Sequence, residues 1–157
     1  METGVHILQQ LRTALTRGDG AKQVAELIRS TRGYRWVGLY AVSETEIAAI
    51  GWTGAEAPAF PRFLVAQGLC GAAVQSRAPV VVGDVRNDPR YLTTFGSTRS
   101  EIVVPVMNGA GMVLGLIDVE SERENAFGDE DQRFLQRCAG ALQSLFSQST
   151  RHQAQST

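Results

Sequence analysis

SEIVVPVMNGAGMVLGLIDVES, residues 100–121, decides the fold. Its two halves, 100–108 and 111–121, are rich in β-branched residues, and a glycine-rich turn separates them. They read as two strands of an antiparallel hairpin. In the second strand Asp118 and Glu120 stand two residues apart, so a period of two puts both carboxylates on one face of the sheet. Upstream, RWVGLYAV (35–42) reads as a strand of the same kind. Ser43, Glu44 and Thr45 turn the chain, and 46–52 returns as its hairpin partner. Trp36 and Tyr40, four apart, share a face. PVVVGDV (79–85) reads as a shorter strand.

The ends of the chain read as helices. Val5, Leu8, Leu11 and Leu15 make a helical stripe over 3–17, with Thr3 as N-cap. Asp19 is positioned to cap a second helix, whose inner face is Val24, Leu27 and Ile28 and which Gly33 ends. A last helix over 129–147 opens after Gly128, with Asp129, Glu130 and Asp131 at the positive end of its dipole. Phe134, Leu135, Cys138, Leu142, Leu145 and Phe146 form its apolar face. Residues 147–157 read as a polar, frayed tail. Between the hairpins, 54–63 is a proline-bearing loop, and Gly68 and Gly71 mark a tight turn in a helix-like setting over 68–77. Residues 86–99 form a long polar loop with one helical turn. The sum is an α+β domain over residues 1–157, core about 20–146. It has a five- or six-stranded antiparallel sheet, terminal helices on one face, and the segment 54–99 as a lid over a pocket on the other.

Composition narrows the function. A chain of 157 residues, 43% hydrophobic and 20% charged, buries a core without staples. A net charge of −1 argues against nucleic acid as a partner. No apolar run reaches the ~18 residues of a membrane span, and METGVHILQQL lacks the basic and apolar regions of a secretory signal. Two cysteines, Cys70 and Cys138, make neither a disulfide framework nor a metal site. The two histidines, His6 and His152, lie near the chain ends, which argues against a core haem or zinc and a Ser-His-Asp triad. These readings imply a cytoplasmic protein without metal or cofactor.

Four stretches resemble a GAF domain: WVGLY (36–40), GLCGAAV (68–74), the run from Asp84 to Val106, and GLIDVESERENAFGDEDQRFLQ (115–136). Among GAF proteins the chain is most similar to the stand-alone free methionine-(R)-sulfoxide reductases. These share the Trp-x-Gly-aromatic-Tyr strand, the Gly-x-Cys-Gly turn, the Ser-Glu-Ile-Val strand start and the Asp-x-acid-Ser strand end. The resemblance implies a pocket of Trp36, Tyr40, Glu101, Asp118 and Glu120, the last usually Asp in that family. Cys70 falls on one of the family's redox cysteines. Thr94 stands where the attacking cysteine is expected, and Phe60 where a third cysteine is. Sulfoxide reduction needs a thiolate to attack sulfur and a second thiol to resolve the product. A threonine hydroxyl does neither at neutral pH. The ligand signatures of other GAF groups are also missing: the cyclic-nucleotide Asn-Lys-Phe-Asp-Glu set, a bilin cysteine followed by histidine, and a haem histidine. What is left is a small, colourless ligand or none.

Each candidate has a plainer structural role beside its functional one. The acids Glu101, Asp118 and Glu120 bind a ligand or tie the lid down. Trp36 and Tyr40 line a pocket wall or simply pack. Cys70, among apolar neighbours with no base, reads as a small buried residue rather than a reactive thiol. Arg86, Arg90 and Arg99 recognise an anion or make surface ion pairs. The expected function is a non-enzymatic small-molecule-binding module with Trp36, Tyr40, Thr94, Glu101, Asp118 and Glu120 at its site. It would act as a homodimer through the terminal helices and report to a signalling partner. The alternatives are a reductase using Cys70, and a ligand-free scaffold whose pocket is filled by Phe60, Phe63 or Phe95.

Overall fold

The alternation in residues 36–42 and 113–121 sorts the chain's apolar side chains into two cores, one on each face of a sheet. The computed structural model describes residues 2–16 and 20–146. Six strands, β1 (Trp36–Val42), β2 (Glu46–Thr53), β3 (Arg62–Leu64), β4 (Val80–Val82), β5 (Ser100–Met107) and β6 (Val113–Ser121), lie in the order β3-β2-β1-β6-β5-β4. Every neighbouring pair is antiparallel. The two hairpins read from the sequence are present, and β1 joins them by pairing with β6.

The helical face carries the larger core. α1 (Glu2–Thr16), α2 (Ala21–Arg32) and α4 (Asp129–Ala141) cover Val37, Leu39, Ile102, Val104, Ile117 and Val119. α2 and α4 pack on the strands, and α1 packs across both helices. Ile7, Leu11 and Ala14 of α1 and Phe134, Leu135 and Cys138 of α4 are all buried in this core. The apolar stripes expected to form a dimer interface are therefore occupied, at these positions, within the chain itself. Gly115 of β6 is needed here: a Cβ on it would lie 2.2 Å from the ring of Phe146.

Helix ends follow the expected chemistry with some exceptions. Gly33 closes α2 in the left-handed conformation, φ 68°. Asp19 and the tail from Ser147 lie outside the described residues, as do the side chains of Val5 and Leu15. Gly20 occupies the N-cap of α2. Thr3 is not an N-cap, because α1 already includes Glu2. At α4, the Gly128 N–H donates to Asp131 at 3.0 Å, and Tyr34 and Arg32 also donate to that carboxylate. α4 ends at Ala141 and a further helical turn carries Phe146, so the expected single helix to 147 is interrupted at Leu142.

The opposite face is covered by residues 54–99, as read from the sequence. The small-residue segment is a helix, α3 (Gly68–Ser76), and not only a turn. Gly71 fits because a Cβ there would meet the Ala66 backbone at 2.6 Å. A 3₁₀ turn spans Val85–Asn87. Leu69, Cys70, Ala73, Val85 and Phe95 pack down on Trp36, Tyr40, Val103 and Leu116. No helix among the described residues is long and apolar enough to cross a membrane.

Candidate functional site

Strand register builds the site. Trp36 of β1 pairs with Glu120 of β6, which pairs with Glu101 of β5. On the next rung of the same face, Gly38 pairs with Asp118, which pairs with Val103. Two facing strands thus bring three carboxyl groups together beneath the lid, one oxygen from each lying within 4.8 Å of the others. Glu101, Asp118 and Glu120 are 4%, 2% and 0% exposed. Like charges directly across a rung repel, and burial disfavours every ionised form.

Protonation relieves both penalties. Burial, followed by the charges of Asp118 and Glu120, holds the Glu101 carboxyl well above the usual carboxylate range. Burial pushes Glu120 up to about 8, with Asp118 adding to it and the Tyr91, Thr98 and Thr94 hydroxyls opposing it. Asp118 is pushed up to about 6 by burial, and hydrogen bonds from Glu101 and Glu120 limit the rise. The cluster therefore holds its protons to higher pH than ordinary carboxyls do. Asp118 Oδ1, Glu120 Oε2 and Thr98 Oγ1 make no hydrogen bond of good geometry, so Thr98 acts on Glu120 as a near polar neighbour and not as a bonded partner.

Aromatic side chains wall the acids. Gly38 leaves space that the Trp36 ring fills, since a Cβ there would lie 2.3 Å from the indole. The Trp36 indole N–H donates to the Glu56 carbonyl at 3.0 Å, and Phe95 stacks edge-on against it at 5.2 Å. Arg35 lies over Phe95, donates to Ser97 and pairs with Glu122, which ties the lid to the end of the sheet. On the other side Tyr40 meets Phe63 edge-on at 5.9 Å. Tyr40, Phe60, Phe63, Leu69, Leu92, Thr94, Cys70, Glu101 and Asp118 line a cavity of about 20 Å³. That is room for a single water.

All six predicted site residues are brought to this region. Trp36 and Glu120 belong to its walls rather than to the cavity lining. Phe60 and Phe63 stand at the cavity, whereas Phe95 packs on Trp36. Tyr91 escaped the sequence reading, although its hydroxyl donates to Glu120 Oε1 at 3.0 Å. An aromatic residue in the polar run 86–94 was the available signal. The anion-binding role considered for the arginines does not hold. Arg86 forks onto Asp84 and reaches Glu124, Arg90 forks onto Asp88, and Arg99 donates to the Gly96 and Thr98 carbonyls. A wider open groove of about 470 Å³ at the end of the sheet meets the acids only at Glu120, and its Arg32 and Arg35 are paired with Asp131 and Glu122.

Cys70 sits in the first turn of α3 and is 5% exposed. Burial, then the charges of Asp118, Glu101 and Glu120, pushes its thiol well above the ordinary range. A thiolate is the nucleophile in sulfur chemistry, so this environment suppresses it. Cys138 is buried on the opposite face of the sheet and does not reach Cys70.

Residues 18–143 match the GAF domain family. "GAF domain-containing protein A" of Dictyostelium discoideum is 30% identical over 137 residues, covering 83% of this chain and 84% of that protein. A type II free methionine-R-sulfoxide reductase from Thermoplasma acidophilum superposes with a TM-score of 0.77 at 29% identity, over 90% of this chain and 96% of that one. The free methionine-R-sulfoxide reductase of Neisseria meningitidis, solved with its substrate, gives 0.80 at 28% identity, over 95% and 91%.

Proposed function

The chain belongs to the GAF domain family, and from that premise we propose that it is a small-molecule-binding module with no catalytic chemistry of its own. The observation that carries this reading is the trio of buried acids with two unpartnered carboxyl oxygens. A buried polar group left unsatisfied costs about 1–3 kcal/mol. A domain serving only as a scaffold gains nothing by keeping these two oxygens unpartnered under a lid. The 20 Å³ cavity favours the scaffold reading, so ligand entry requires displacement of Phe60, which lines it and is 44% exposed. The ligand then reaches Asp118 and Glu101 past Phe60, Phe63 and Leu92.

The likeness to sulfoxide reductases supports a second reading, in which Cys70 reduces free methionine sulfoxide. Its buried, acid-flanked thiol argues against this, as does Thr94 at the position where the family's attacking cysteine is expected. Two measurements separate the readings. The binding module gives ligand-dependent rises in melting temperature in a small-molecule screen, with no thiol-dependent turnover of free methionine sulfoxide. Turnover that disappears in Cys70→Ser establishes the enzyme instead, and a screen without any shift leaves the scaffold. We also propose a homodimer reporting to a partner protein in the cytoplasm. A single-chain mass by light scattering refutes the dimer.

A further inference from the structure

The turn that joins β5 to β6 sets one asparagine apart from the other two. The chain carries Asn87, Asn108 and Asn125. The side-chain carbon of an asparagine lies within reach of the next residue's backbone nitrogen, so the state of that nitrogen decides its reactivity. After Asn87, the Asp88 N–H donates to the Val85 carbonyl at 3.2 Å, and Asn87 Nδ2 itself donates to Asp84. After Asn125, the Ala126 N–H donates to Ser100 Oγ at 3.3 Å. Asn108 is followed by Gly109, which is exposed in the turn. The Gly109 N–H and Asn108 Nδ2 meet no acceptor among the described residues.

We propose that Asn108 is a site of spontaneous deamidation in the folded protein, through a succinimide formed with Gly109. Asn108 Oδ1 accepts from the N–H of Ala110 at 2.9 Å and from the N–H of Met112 at 3.0 Å, which fixes the carboxamide within the turn. The turn is closed by the Gly111 N–H on the Asn108 carbonyl and the Asn108 N–H on the Met112 carbonyl, each at 3.0 Å. Gly109 N, once its proton has passed to hydroxide, bonds to Asn108 Cγ. The negative charge that develops falls on Oδ1, where two backbone donors already lie, and such donors stabilise an oxyanion. The Cγ–Nδ2 bond then breaks, and the nitrogen takes a proton from water and leaves as ammonia. Water opens the ring at either carbonyl, giving aspartate or isoaspartate at 108. The sum consumes one water and releases one ammonia. Gly109 suits the attack, because it has no side chain beside the nitrogen and the backbone freedom to let the ring close. Aspartate keeps an oxygen for both N–H donors. Isoaspartate adds one backbone carbon to the connection that sets Glu101 across from Glu120.

The test is peptide mapping by mass spectrometry after incubation of the intact chain at 37 °C, at pH 6 and pH 9, in native buffer and in guanidinium. The expected result is a gain of about 1 Da on the peptide holding residue 108, resolved into aspartate and isoaspartate forms. It accumulates faster at pH 9, because the attacking nitrogen must lose its proton, and at least as fast in the folded chain as in guanidinium. In the folded chain the peptides holding Asn87 and Asn125 stay unchanged. Gly109→Ala has open space for its Cβ and should slow the conversion at least about tenfold. Slower conversion in the folded chain than in guanidinium means that the turn shields the carboxamide, and overturns the proposal. Equal conversion at Asn87 or Asn125 in the folded chain, a product without isoaspartate, or an unchanged rate in Gly109→Ala also overturns it.

Discussion

Replacing Glu120 with glutamine should change how stability depends on pH. In the folded chain its carboxyl titrates at about 8, against an ordinary 4.5. A carboxyl raised on folding binds its proton more tightly in the native state. Its contribution is fully present below the unfolded value and is lost as pH rises towards the folded one. Between pH 6 and pH 8 the unfolded chain has given up this proton and the native chain has not. Each pH unit then costs about 1.4 kcal/mol, tapering near 8, for a total of about 2 kcal/mol. For a domain of this size that is a fall in melting temperature of about 4–8 °C. Glutamine keeps the shape and an oxygen for the Tyr91 hydroxyl, but does not titrate. The assay is thermal unfolding of both proteins at half-unit steps from pH 5 to pH 9. Asp118, titrating near 6, shapes the curve mainly below this window. The variant's melting temperature should fall less between pH 6 and 8, by about that amount. Parallel curves for the two proteins refute the buried, proton-bearing Glu120.

Three further outcomes follow from the packing. Gly38→Ala drives a methyl into the Trp36 indole and should cost about 1–3 kcal/mol, read by denaturant unfolding and by a change in tryptophan emission. Cys70 and Cys138 should resist a thiol reagent in native buffer and react fully in guanidinium; fast native labelling contradicts their burial. Thr94→Cys adds a thiol at a cavity that Cys70 also lines, and should confer thiol-dependent reduction of free methionine sulfoxide that Cys70→Ser removes. An inert, folded Thr94→Cys protein contradicts the correspondence of Thr94 with the reductases' attacking cysteine.

Much of this architecture is legible along the chain because strand faces follow from alternation alone. Trp36 and Tyr40 share the lid face, and so do Asp118 and Glu120. The pairing that makes a site is not local. Gly38 meets Asp118 across β1 and β6, eighty residues apart in sequence, and no short pattern encodes that register. Glu101 opposite Glu120 depends on the length of the turn at 108–112 and on a shift near Met107. The protonation states follow only once three acids share one buried space. Tyr91 was missed because its role depends on where a long loop folds back. The arginine runs misled for the opposite reason: Asp84 and Asp88, each two residues upstream, satisfy Arg86 and Arg90 locally. Phe63 looked like loop sequence, yet it pairs with Ile47 on an edge strand too short to carry an alternation signal.

The state of the three buried carboxyl groups is the heart of this account, and carbon-13 NMR of the side-chain carboxyls reads it directly. The account predicts that Glu101 and Glu120 still carry protons at pH 7. Three cluster signals titrating in the ordinary carboxylate range contradict it.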